Sequence, residues 1–209
     1  MTARHRRLPA PALALALIGL LSACAASPVS HYYLLEADTA NASASPSPGQ
    51  ADTPSLGVGP LSIPPYLQRD HLVYHLADSR LQVAAYHQWA EPLEDGMTRV
   101  LLLHLTRGLG THNLRRFPWH PERAPDLAVS VDILALELRS TGATLTADWQ
   151  VYRPNTEAAG AGHVSTVHAG LPAGTSPPEA LPAVYAELLR RLADVILTTL
   201  RADAESTAD

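Results

Sequence analysis

The sequence predicts an α/β domain, and three observations carry that class. Apolar and polar residues alternate through 127–151, one apolar stripe at helical spacing runs from Leu93 to Leu105, and a longer one runs from Leu181 to Thr199. Successive side chains of a strand point to opposite faces, whereas a helix returns to the same face every three or four residues, so the two periods separate the two kinds of element.

The chain opens on Arg4, His5, Arg6 and Arg7, followed by an apolar run over 11–21 rich in Leu and Ala. That is the pattern of a secretory signal. A stable membrane-spanning helix needs about 20 apolar residues, so the run is too short to remain as an anchor. Leu21-Ser22-Ala23-Cys24 then resembles a bacterial lipobox, in which the cysteine is acylated and becomes the first residue after cleavage. The competing reading takes Ala23-Cys24-Ala25 as an ordinary signal-peptidase site, which would release a soluble periplasmic protein. The lipobox reading divides the chain into a signal peptide over 1–23, a lipidated Cys24 with a short tether over 24–31, one α/β domain over 32–203 and a frayed tail over 204–209. Ala25 stands where inner-membrane lipoproteins often carry Asp, and by resemblance to that sorting rule the expected destination is the periplasmic face of the outer membrane.

Removal of 23 of the 209 residues leaves enough chain for one domain with a substantial core. The signal takes three of the fifteen basic residues and none of the twenty acidic ones. The acidic mature chain therefore lacks the basic footprint that nucleic acid requires. Every basic residue is Arg, which reflects composition rather than function. A single cysteine excludes an intrachain disulfide and a Cys-based zinc site.

His31-Tyr32-Tyr33-Leu34-Leu35 suits a short strand, expected to pair with the main sheet. Residues 38–55 contain Ala, Ser, Pro, Asp, Thr and Gly but no large apolar side chain, and cannot bury enough surface to offset ordering entropy. They are expected to form a mobile loop within the domain. Leu56, Val58 and Ile63 suit a strand that Pro64 and Pro65 end, and the runs 71–76 and 81–86 read as a hairpin about the turn at 77–80. Glu91-Pro92 opens a helix with Pro92 at its first position, Glu94 and Asp95 at the positive end of its dipole, and Arg107, Gly108 and Gly110 at its close.

A short strand near 111–115 and a Pro-rich crossing, Phe117-Pro118-Trp119-His120-Pro121, come next. In 127–138 the apolar phase shifts from Leu127, Val129, Val131 and Ile133 to Leu134, Leu136 and Leu138, which calls for a bulge near Ile133. Ala143, Leu145, Ala147, Trp149 and Val151 point inward on the strand that follows, and a third strand spans 162–169. The last helix carries Leu181, Val184, Tyr185, Leu188, Leu192, Val195, Ile196 and Thr199 on one stripe, is preceded by Pro177 and Pro178, and frays from Ala202.

Taken in order, the lipobox, Tyr32-Tyr33-Leu34-Leu35, Gly57-Val58-Gly59-Pro60 leading to Ile63-Pro64-Pro65-Tyr66-Leu67, and Trp89-Ala90-Glu91-Pro92-Leu93 resemble the PqiC/YmbA-type lipoproteins, also called ABC-type transport auxiliary lipoprotein components. The resemblance implies a three-layer α/β sandwich with a mixed sheet, similar to the anticodon-binding and TolB amino-terminal architecture. It also implies a non-enzymatic lipoprotein of an intermembrane lipid-transport system, one that meets an MCE-domain protein and an inner-membrane transporter and is compatible with a ring-like homo-oligomer. The long Ala/Ser/Pro-rich stretch departs from the family pattern.

No catalytic constellation competes. His71 and His75 would share a strand face and His163 and His168 would not, but no His-Glu-x-x-His string is present. Ser165 lacks a nucleophile elbow, Gly57-x-Gly59 is followed by proline rather than a helix, and Gly108-Leu109-Gly110 ends a helix instead of opening one. No cofactor, metal site or catalytic residue is expected. Tyr66, Leu67, Trp89, Glu91 and Pro92 are the candidate partner or subunit interface, because aromatic residues favour interface cores. Trp89 equally suits a core position with Pro92 as a helix start. A lipid or small-molecule carrier and a metal-dependent envelope enzyme are the alternatives to an accessory binding protein.

Overall fold

The structure, a computed structural model, describes residues 28–37, 55–76, 79–111, 113–154, 156 and 160–207. Cys24 and most of the Ala/Ser/Pro-rich stretch lie outside the described residues. The elements in chain order are β1 (His31–Tyr33), β2 (Leu56–Ser62), β3 (His71–His75), β4 (Leu81–Trp89), α1 (Leu93–Leu109), β5 (Leu114–Arg116), β6 (Leu127–Arg139), β7 (Gly142–Tyr152), β8 (Gly162–Ala169) and α2 (Pro177–Thr207).

They form an α/β fold with mixed pairing, divided between two open sheets. The larger runs β5-β2-β6-β7-β8, parallel from β5 to β6 and antiparallel from β6 to β8. The smaller runs β1-β4-β3. The chain leaves the larger sheet after β2 because Pro64 and Pro65 offer no backbone N–H to a ladder. The short strand expected in the main sheet is β1, and it pairs instead with β4, parallel, with Tyr33 opposite Trp89. The Ala90 N–H donates to the Tyr33 carbonyl at 2.8 Å and fixes that choice.

The bulge expected near Ile133 is present as a register shift between Ile133 and Ala135 against β7. It lets Val129, Val131 and Ile133 bury on the same side as Leu136 and Leu138 although the two groups differ in parity. Pro92 occupies the N-cap of α1, one residue earlier than expected, and Gly110 closes the helix in the left-handed conformation at φ 65°. α2 begins at Pro177 itself, where a missing N–H has no consequence, and continues to Thr207, past Ala202. Its buried arc is wider than one stripe and includes Leu189, Ala193, Leu197 and Leu200, while Val195 is exposed. The width follows from its neighbours, since α2 packs on α1, β7 and β8 and also on β3.

A strip of backbone explains the Gly57-Val58-Gly59-Pro60 motif. A Cβ on Gly57 would lie 2.6 Å from the Pro125 side chain and 2.7 Å from the Trp119 ring, and one on Gly59 would lie 2.4 Å from the Phe117 Cβ. The Pro-rich crossing thus lies flat on β2, with the Phe117 and Trp119 rings edge to face at 5.3 Å. The start of β2 is fastened by Ser55, whose N–H and hydroxyl both donate to Asp126 at 2.7 Å. Those hydrogen bonds hold the Asp126 carboxyl below its usual range.

Candidate interaction surface

The five residues expected at an interface do not share one exposed face. Trp89 ends β4 with its side chain in the core, 7% exposed, and stacks on Tyr185 of α2 with ring centroids 6.2 Å apart. Leu67 is also buried. Tyr66 is half-buried, and its hydroxyl accepts from the Leu136 N–H and donates to the Leu136 carbonyl, both at 3.2 Å. Those two bonds join the turn between β2 and β3 to β6. Glu91 pairs with Arg99, whose guanidinium also donates to the Leu35 carbonyl at 2.9 Å. Only Pro92 is exposed outright. The family-like Trp-Ala-Glu-Pro-Leu string therefore closes β4, caps α1 and ties residue 35 to that helix.

The Tyr185 hydroxyl is fully buried and finds no hydrogen-bond partner among the described residues, and burial raises its pKa. An unsatisfied buried hydroxyl costs about 1–3 kcal/mol, so removing it while keeping the ring relieves a penalty. Tyr185→Phe is expected to leave stability unchanged or raise it by about 1 kcal/mol in urea titrations. A loss above about 1 kcal/mol would reveal a bonded hydroxyl.

One surface feature with both apolar and charged character is a groove of about 420 Å³ between residues 33–36 and the two helices. Tyr33, Leu34, Pro182 and Ala186 give it apolar walls, and Glu36, Glu179, Glu187 and Arg190 rim it. The Tyr33 hydroxyl and His87 Nδ1 share a hydrogen bond at 2.7 Å, and the rings of His31 and Tyr33 both stack on His87. Burial, and then the Glu179 charge, raise the Tyr33 pKa. Ser176 donates to Glu179 at 2.8 Å at the start of α2.

Glu187 accepts from Arg190 at 2.7 Å through both oxygens and from Arg191 at 2.6 Å. The Arg190 bonds, opposed by partial burial and supported by Arg191, hold its carboxyl at about 2. A free Glu titrates at about 4.3, so this stabilisation is complete above that pH and is lost as pH falls toward 2. Urea midpoints at pH 6, 4 and 2.5 should fall more steeply for the wild type than for Glu187→Gln; parallel slopes would contradict the assignment. Nothing in the sequence singles out this groove beyond the i, i+3 and i, i+4 spacing of Glu187, Arg190, Arg191 and Asp194 on the polar side of α2.

Among the described residues, no group of three or more His, Cys, Asp or Glu is placed to hold a metal ion, and no helix is long and apolar enough to cross a membrane. His163 faces inward and stacks on Trp149 at 4.4 Å, while His168 on the opposite face shares a 3.1 Å hydrogen bond with Thr144.

Two solved structures are similar in fold, each at TM-score 0.65 and 15% identity. One is an uncharacterized protein, covering 83% of this chain and 99% of its own. The other is protein XCC0632 from Xanthomonas campestris, covering 86% of this chain and 100% of its own. No curated protein matches the chain. The family model of the ABC-type transport auxiliary lipoprotein component matches residues 33–197, from β1 into the last turns of α2. That span takes in the groove, the glycine strip and both sheets, and this chain belongs to that lipoprotein family.

Proposed function

We propose that this protein is a non-enzymatic lipoprotein, anchored through acylated Cys24 to the periplasmic face of the outer membrane, that serves an ABC/MCE-type intermembrane lipid-transport system by binding its protein components. The observation that carries the binding role is the groove beside residues 33–36. It is open, and apolar walls combined with a charged rim match the apolar core and polar rim of a protein interface. A carrier of free lipid would instead need an enclosed apolar cavity. Family membership supports the transport setting. The lipobox-like sequence ending at Cys24, followed by Ala25, supports the anchor and its destination.

Affinity purification from crosslinked envelopes tests the reading, with wild type, Cys24→Ala and Leu34→Arg compared. The wild type should take up labelled palmitate and recover an MCE-domain protein together with inner-membrane transporter components. Cys24→Ala should lose the label. Leu34→Arg, at an exposed groove position, should keep its circular dichroism spectrum and lose most of the partner. Absence of any MCE-type partner from the wild-type sample would sink the proposal, and lipid bound to the purified chain in native mass spectrometry would favour a carrier.

A further inference from the structure

The small sheet has one face toward α2 and one away from it. His31, Tyr33, His87 and Trp89 share the face that meets Tyr185, because paired residues of neighbouring strands point the same way. Tyr32 and Gln88, and through Gln88 also His71, lie on the other face; across a register shift between His71 and Val73 it continues through Val83, paired with the buried Val73, to Leu81. Tyr66 packs edge-on against His75 at the β3 side of that face. Among the described residues nothing covers this face across β1 and β4: Tyr32 is 66% exposed, Tyr86 47%, Leu81 41% and Val83 37%. Four of the large apolar residues exposed on the chain thus cluster on two adjacent strands, and apolar surface concentrated in this way marks an interaction site.

We infer that this face docks on the lipid bilayer surface, with Tyr32 and Tyr86 at headgroup level. The inference rests on the proposed acylation of Cys24. Tyr32 is eight residues from Cys24, and at most about 3.6 Å per residue the tether holds it within about 29 Å of the anchored lipid. At such range docking is intramolecular, so a modest apolar surface suffices. Charge selects this face over the others. Neither β1 nor β4 contains Asp, Glu or Arg, although the chain carries a formal charge of −5. The outer face of the large sheet pairs Asp132 with Asp148, and the outer side of α2 presents Glu187 and Asp194; both would set carboxylates against lipid phosphates. Tyrosine, apolar in its ring and polar at its hydroxyl, is the side chain suited to a membrane–water boundary.

The test uses the full-length lipidated chain in vesicles of phosphatidylethanolamine and phosphatidylglycerol. Acylation consumes the Cys24 thiol, so single cysteines at Tyr32→Cys, Tyr86→Cys and, on the exposed side of α2, Thr198→Cys each take one environment-sensitive fluorophore. Nitroxide placed near the headgroup end of the acyl chains should quench the probes at 32 and 86 several-fold and leave the probe at 198 unchanged. If the protein floats with the vesicles and the probes at 32 and 86 are quenched no more than the one at 198, the docking inference is overturned and the anchor stands. If the chain carries no fatty acid and does not float, both fall.

Discussion

Gly59→Ala is expected to destabilise the domain by about 3 kcal/mol, from two costs that add. Gly59 has φ 123°, a region that residues with a Cβ adopt only at a cost of about 1–3 kcal/mol. Its new Cβ would also lie 2.4 Å from the Phe117 Cβ, and overpacking of that kind costs a further 1–3 kcal/mol or so. Equilibrium unfolding in urea would show the loss as a lower midpoint with an unchanged slope. A double variant makes the origin specific. Phe117→Ala keeps the atom that clashes, so Gly59→Ala with Phe117→Ala should recover little, whereas Phe117→Gly removes the clash and should recover the packing part alone. Full rescue by Phe117→Ala would show that the ring, not the backbone, is what Gly59 accommodates.

Trp89→Ala is expected to cost about 3–5 kcal/mol, the range for removing a buried aromatic side chain. The ring is 7% exposed and stacked on Tyr185, so truncation opens a hole where the small sheet meets α2 and leaves the Tyr185 face without its neighbour. Near-ultraviolet circular dichroism and urea titration should both report it. A variant that keeps its stability and loses only partner recovery would return Trp89 to the interface and overturn its assignment to the core.

The elements of this fold were legible where period decides the matter. The β6–β7 hairpin with its bulge, the α1 stripe from Leu93 to Leu105 and the polar side of α2 follow from alternation and helical spacing in the chain alone. The pairing partner of β1 was not legible, because five residues of strand signal, His31 to Leu35, cannot distinguish a parallel place beside β4 from a place in the larger sheet. The buried arc of α2 exceeds its apolar stripe for a related reason: a helix that meets two sheets and a second helix buries positions such as Leu189 and Ala193 that a single apolar stripe leaves out. The candidate interface residues are dispersed in the fold. Tyr66, Leu67, Trp89, Glu91 and Pro92 are neighbours in sequence or in motif, but the turn at Tyr66, the core position of Trp89 and the Glu91–Arg99 pair give them separate structural tasks. The groove beside Tyr33 and Leu34 draws its lining from three segments far apart in the chain, and no local pattern announces it.

With Cys24 acylated as proposed, Leu35 would act as a mechanical stop. A pull transmitted from Cys24 along the chain would load the three backbone pairs between β1 and β4 first, and if they slipped the leash would lengthen by residues 31–34, about 14 Å. Leu35 is 1% exposed, with its carbonyl held by Arg99, so the next increment of length requires drawing a core side chain into water. The reach of the domain from the membrane would then take two values, short with β1 zipped and longer with it peeled, and the step between them is set by one leucine and one arginine.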